Sequence, residues 1–147
     1  MTGRGARPVT AVVVGVDASA AARNAVSWAA REAAIRALPL VVSHAYALDA
    51  GQRDLDLARV ARERAWRRAD EGVAAALTAV PGLEASAWAA PGALAQVLDA
   101  AVEDPALFVV AARGRGVLLS LLRRSSEEER RRGRVRGRWC SYDGPPP

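Results

Sequence analysis

The chain contains no lysine; all 21 of its basic residues are arginine. It has one cysteine, Cys140, and one histidine, His44. A lone cysteine excludes an internal disulfide, and with a single histidine it argues against a metal cluster. Aromatic residues are scarce, at 5% of a chain that is 51% hydrophobic, and most of that apolar content is Ala and Val. A core of this kind must form by close helix-on-sheet packing. No apolar run approaches the roughly 20 residues of a membrane span. Met1 to Pro8 carries two arginines with no apolar signal-peptide core of its own. A cytoplasmic location is therefore expected. The missing lysine and the alanine excess together read as a GC-rich coding bias.

The net charge of +5 is unevenly placed. Residues 1–112 hold 11 Arg against 12 Asp and Glu, a net of −1. Residues 113–147 hold 10 Arg against 4 acids, a net of +6. The body is near neutral, which argues against a domain built as a nucleic-acid surface.

At 147 residues one domain is expected, large enough for a real core. Val9 to Val16 reads as a strand buried on both faces. Ser19 is a good N-cap for a first helix, and Pro39 forbids its continuation. Leu40 to Ala45 is a second strand. Leu55 to Val80 is a long helix closed by Pro81-Gly82. Glu84 to Ala90 reads as a third strand, Ala93 to Val102 as a third helix ended by Pro105, and Leu107 to Ala112 as a fourth strand. Val117 to Leu122 would begin a fourth helix. This alternation implies an α/β domain with parallel strands and helices on both faces. Such sheets bind ligands beyond the carboxyl ends of their strands, at the point where strand order reverses.

Two features fall on that edge. Asp17 follows the first strand and could accept from ribose hydroxyls or an adenine amine; the plainer reading is an acid ending a strand near a helix N-terminus. Arg113-Gly114-Arg115-Gly116 follows the fourth strand and could form a phosphate nest, although glycines also end strands for conformational reasons. No P-loop is present, and no G-x-G-x-x-G follows the first strand. His44 has no acid and nucleophile nearby in sequence, so it reads as a core or strand-end residue. Ser43 and Ser120 lack an elbow motif.

Val12-Val13-Val14-Gly15-Val16-Asp17-Ala18-Ser19, Ala25-Val26-Ser27-Trp28-Ala29 and Pro39-Leu40-Val41-Val42-Ser43-His44-Ala45 resemble the first half of universal stress proteins. Gly92-Ala93-Leu94-Ala95 is similar to the turn before their third helix. Val109-Val110-Ala111-Ala112-Arg113-Gly114-Arg115-Gly116 is similar to their phosphate loop. The resemblance spans roughly residues 9–126. It implies a Rossmann-like, doubly wound parallel sheet of five strands and a stress-response role without turnover. The related pyrophosphatase-type nucleotide hydrolases are disfavoured. They carry Ser-Gly-Gly-x-Asp-Ser at the first strand end, where this chain reads Val16-Asp17-Ala18-Ser19.

Nucleotide-binding members of that family hold ATP with the first-strand Asp and a G-2x-G-9x-G-[ST] loop. Carried onto this chain, the loop glycines fall on Ala111, Gly114 and Arg124, and the final Ser/Thr on Ser125. Ala18 stands where the family has the Gly of Asp-Gly-Ser. The resemblance thus implies an ATP site drawn from Asp17, Ala18, Ser19 and Val42 at the first two strands. Ala111, Arg113, Gly114, Gly116, Arg124 and Ser125 would complete it, with a degraded phosphate loop. A nucleotide-free protein-interaction module of the same fold stays open.

Family members continue into a fifth apolar strand that commonly pairs subunits into homodimers. No such strand is legible after Ser126, so the fifth strand is expected to be missing and the homodimer is in doubt. The domain is accordingly placed at residues 1–126, with an Arg-rich disordered tail at 127–147. Two readings of that tail stand. Shifted by one base, the codons of Arg138 to Asp143 give an apolar strand followed by Arg or a stop, as a frameshifted fifth strand would. Alternatively, its Arg-Gly repeats with Trp139 and Tyr142 would bind nucleic acid by charge and stacking, the less favoured of the two.

Overall fold

A computed structural model describes residues 7–17, 20–48, 54–111 and 138–142. Within them the order is β1 (Thr10–Gly15), α1 (Ala20–Ile35), β2 (Leu40–Tyr46), α2 (Leu55–Ala79), β3 (Ala85–Pro91), α3 (Leu94–Asp99), β4 (Asp104–Ala111) and β5 (Arg138–Tyr142). The five strands form one sheet in the order β3-β2-β1-β4-β5. Every neighbouring pair is parallel.

The valine run makes β1 the central strand. β-Branched side chains suit the pleated backbone, and a strand without a polar face must be covered on both sides. Ala11 to Val14 are wholly buried. Val12 and Val14 point to one face, where Val26, Ala29 and Ala33 of α1 and Trp66, Ala69 and Val73 of α2 cover them. Val13 points to the other face, with Phe108 of β4 and Ala95 and Leu98 of α3.

The helix ends have local causes. Asp54 caps α2, its Oδ1 accepting from the N–H groups of Asp56 at 2.9 Å and Leu57 at 3.4 Å. α1 ends in a Schellman arrangement: Leu38 N–H donates to the Ala33 carbonyl at 2.9 Å and Ala37 N–H to that of Ala34 at 3.1 Å. Ala37 holds the left-handed position there, at φ 53°. The helix therefore stops at Ile35, ahead of the Pro39 that the sequence singles out.

Three expectations are corrected. α3 is shorter than Ala93 to Val102: it ends at Asp99, yet Ala101 and Val102 stay buried, so the apolar spacing tracks burial beyond the helix. Pro105 lies inside β4, beside Ala11, where the ladder shifts register between Ala11 and Val12. Such an irregularity accommodates a residue with no N–H to donate.

The largest correction is the fifth strand. It is present: Arg138–Tyr142 runs parallel to β4, with Leu107 opposite Arg138 and Ala111 opposite Tyr142. Part of the segment read as a disordered tail thus closes one edge of the sheet. Strand-forming residues in an edge position need no alternating pattern of their own when the neighbouring strand supplies the pairing. The rest of that segment, and the expected fourth helix at Val117 to Leu122, lie outside the described residues.

Candidate functional site

The chain reverses direction across the sheet between β1 and β4, so their carboxyl ends form the switch point. Val14 pairs with Val109; continuing that register sets Ala111 level with Val16. Asp17 therefore follows directly on the β1 position that lies level with Ala111, the last residue of β4.

Hydrogen bonds fix the end of β1. Val16 N–H donates to the Ser43 carbonyl at 2.8 Å. The half-buried His44 of β2 holds the Val16 carbonyl, at 2.7 Å from Nδ1. A carbonyl only accepts, so Nδ1 carries the proton. His44 thus lies within β2, paired with Ala89 and two residues short of the strand's end, and it tethers the peptide that precedes Asp17. One residue before it, Ser43 is fully buried and its hydroxyl has no partner among the described residues.

Asp17 is exposed and lines a cleft of about 410 Å³ between α1 and α2. Val16, Ala22 and Val26 give the cleft apolar walls, and Asp17, Arg23, Arg68 and Glu71 give it charge. Its size falls within the range of small-molecule sites. Gly72 completes the lining and explains how α2 comes so close to the sheet. A Cβ there would stand 2.5 Å from Val42 Cγ1, inside contact distance. The absent side chain lets the helix settle onto β2.

Asp17 is thus in a cleft. Val42 is wholly buried beneath α2, in the core cluster that also contains Ala111 at the end of β4. Ala18, Ser19, Arg113, Gly114, Gly116, Arg124 and Ser125 lie outside the described residues. Sequence reasoning missed Arg23, Arg68, Glu71 and Gly72. Gly72 did carry a legible sign, a glycine inside an Ala-rich helix with no cap to make. The arginines carried none, because exposed arginines occur all along both helices.

Among the described residues, no cluster of His, Cys, Asp and Glu could hold a metal ion. No helix among them is long and apolar enough to cross a membrane.

The family model for universal stress proteins matches residues 9–129. The fold is similar to that of a universal stress protein from Archaeoglobus fulgidus, with TM-score 0.63 and 21% identity over 88% of this chain and 92% of that one. A structure of the Archaeoglobus fulgidus protein in complex with dAMP gives TM-score 0.62 and 21% identity over 88% of this chain and 96% of that one. A universal stress protein in complex with cAMP gives TM-score 0.59 and 23% identity over 89% of this chain and 95% of that one. Comparison with curated proteins finds no significant match.

Proposed function

This chain belongs to the universal stress protein family, and on that premise we propose that it is a non-catalytic, stress-response protein that binds an adenine nucleotide, ATP in particular. The observation that carries the reading is the cleft at the carboxyl end of β1, with Asp17 in its lining. Its donor set suits a nucleotide. Carboxylates accept from ribose hydroxyls or an adenine amine, and guanidinium groups donate to phosphate oxygens. Two structural relatives are described in complex with adenine nucleotides, dAMP and cAMP. In this reading Asp17 contacts ribose or adenine, the amides around Gly114 contact phosphate, and Ser125 donates to a phosphate oxygen.

Isothermal titration with ATP tests it. Saturable binding is expected, and Asp17→Ala should weaken it by roughly 10-fold or more, as loss of a hydrogen bond to a charged group costs about 1.5–3 kcal/mol. No heat at millimolar ATP overturns the reading.

The competing reading is a nucleotide-free interaction module of the same fold. Ala111 and Arg124, standing where the family's loop has glycines, favour it. The nucleic-acid reading of the tail stays the less favoured, because the body of the chain is near neutral. The presence of β5 removes the reason for doubting a homodimer through this edge, which becomes part of the proposal.

A further inference from the structure

We propose that Arg23 of α1 and Arg68 of α2 form a two-helix clamp for the anionic group of the bound ligand. The clamp adds phosphate contacts to those proposed for the loop after β4. This inference rests on the nucleotide reading above and deepens it.

Four observations carry it. Both arginines are exposed and both line the cleft that holds Asp17. They come from different helices, so they approach a ligand from separate walls. Just beyond the end of α1, Arg36 pairs with Glu32, and on α2 Arg59 lies 3.8 Å from Asp56. Among the described residues, neither Arg23 nor Arg68 pairs with a carboxylate in this way, nor do Arg31 and Arg67; what sets the first two apart is the cleft they line. Finally, the resemblance sets Ala111 and Arg124 on two of the three glycine positions of the phosphate loop, and a side chain at such a position hinders close approach of a phosphate to the backbone amides.

The cleft also carries Asp17 and Glu71. A bare anion would meet attraction and repulsion together there. A nucleotide would not, because it presents hydroxyl and amine donors along with its phosphates. The mixture of two guanidinium groups and two carboxylates fits a ligand that is both donor and anion. Guanidinium groups bind phosphate oxygens in paired geometry, and their charge persists at every physiological pH.

The test compares ATP with adenosine by isothermal titration, on the full chain and on two double variants. Arg23→Ala/Arg68→Ala removes the clamp. Arg31→Ala/Arg67→Ala removes the same charge from exposed sites on the same two helices, outside the cleft. The cleft variant should bind ATP about 10- to 100-fold more weakly, because removing a charge-assisted hydrogen bond weakens binding by about 10-fold or more. Adenosine binding should stay within about twofold, and the control variant should bind both ligands nearly as the unaltered chain does, since exposed charges off the site act weakly. Far-UV circular dichroism confirms that both variants fold. The clamp is overturned if the cleft variant loses no more ATP affinity than the control, or if adenosine binding falls as much as ATP binding. An unaltered chain that binds ATP and adenosine equally overturns the clamp while leaving the nucleotide reading intact. One that binds neither overturns the nucleotide reading, and the clamp with it.

Discussion

β1 and β5 are both strands of one parallel sheet, and they are built on opposite terms. β1 sits at the centre, pairing with β2 and β4, and Ala11 to Val14 are wholly buried. Its place is written in its own residues, because a valine run with no polar face is stable only between two covering layers. β5 is an edge strand of sequence Arg-Trp-Cys-Ser-Tyr. Its place is set by β4, which offers a free row of backbone donors and acceptors. The difference separates strands that the sequence dictates from strands that the fold recruits.

A single row of the sheet lets the two be compared directly. Val14 of β1 pairs with Val109 of β4, and Val109 pairs with Cys140 of β5. All three contribute to the core on the α1 and α2 side, with Val14 and Val109 fully buried and Cys140 only half-buried. Val14→Ala removes two buried methyl groups and leaves a cavity, so it should destabilise by about 2–3 kcal/mol. Cys140→Ala should cost under about 1 kcal/mol, since its environment is open on one side. Urea unfolding of both variants measures the contrast. Equal losses would break the comparison and make β5 a full member of the core.

The same contrast explains what is legible in the sequence. The α/β alternation, the central strands and the long α2 follow from periodic apolar residues and from strong punctuation such as Pro39, Asp54 and Pro81-Gly82. The differences between sequence and structure have specific physical causes. Apolar spacing past Asp99 imitates a helix because Ala101 and Val102 are buried without being helical. Pro105 imitates a helix stop, although a register shift lets a strand absorb it. β5 is hidden by arginine-rich surroundings, although Trp139, Cys140 and Tyr142 between Gly137 and Gly144 are strand-forming residues bounded by turn residues. At the candidate site, the place of Asp17 at the carboxyl end of β1 is legible in the sequence. Arg23 and Arg68 are not, since only tertiary packing of α1 against α2 brings residues 45 positions apart to one cleft.

Gly72 sharpens the comparison from the helix side, because α2 reaches the sheet only through the missing side chain. Gly72→Ala would gain about 0.5–1 kcal/mol of helix propensity. It would also drive a Cβ to 2.5 Å from Val42 Cγ1, in a stiff and fully buried side chain. Overpacking of this kind costs about 1–3 kcal/mol, so the variant should be less stable by about 1 kcal/mol in net. A rise in stability on thermal or urea unfolding would show that α2 can lift from β2 at little cost. The central sheet would then be less tightly specified than β1 implies.

The smallest expected effect has the opposite sign. Ala37 holds a left-handed conformation at the end of α1, φ 53°, where a residue with a Cβ is strained by about 1–2 kcal/mol. Ala37→Gly relieves that strain but adds freedom to the unfolded chain, worth about 0.4–1 kcal/mol. The net expectation is a stabilisation of about 0.5–1 kcal/mol, read as a higher urea midpoint with an unchanged slope. Because Ala37 is exposed and the turn leads into β2 through Pro39, the gain should leave ATP binding as it was. A loss of stability would mean that the alanine is held there by packing, and that the way into β2 is specified by side chains as strictly as β1 itself.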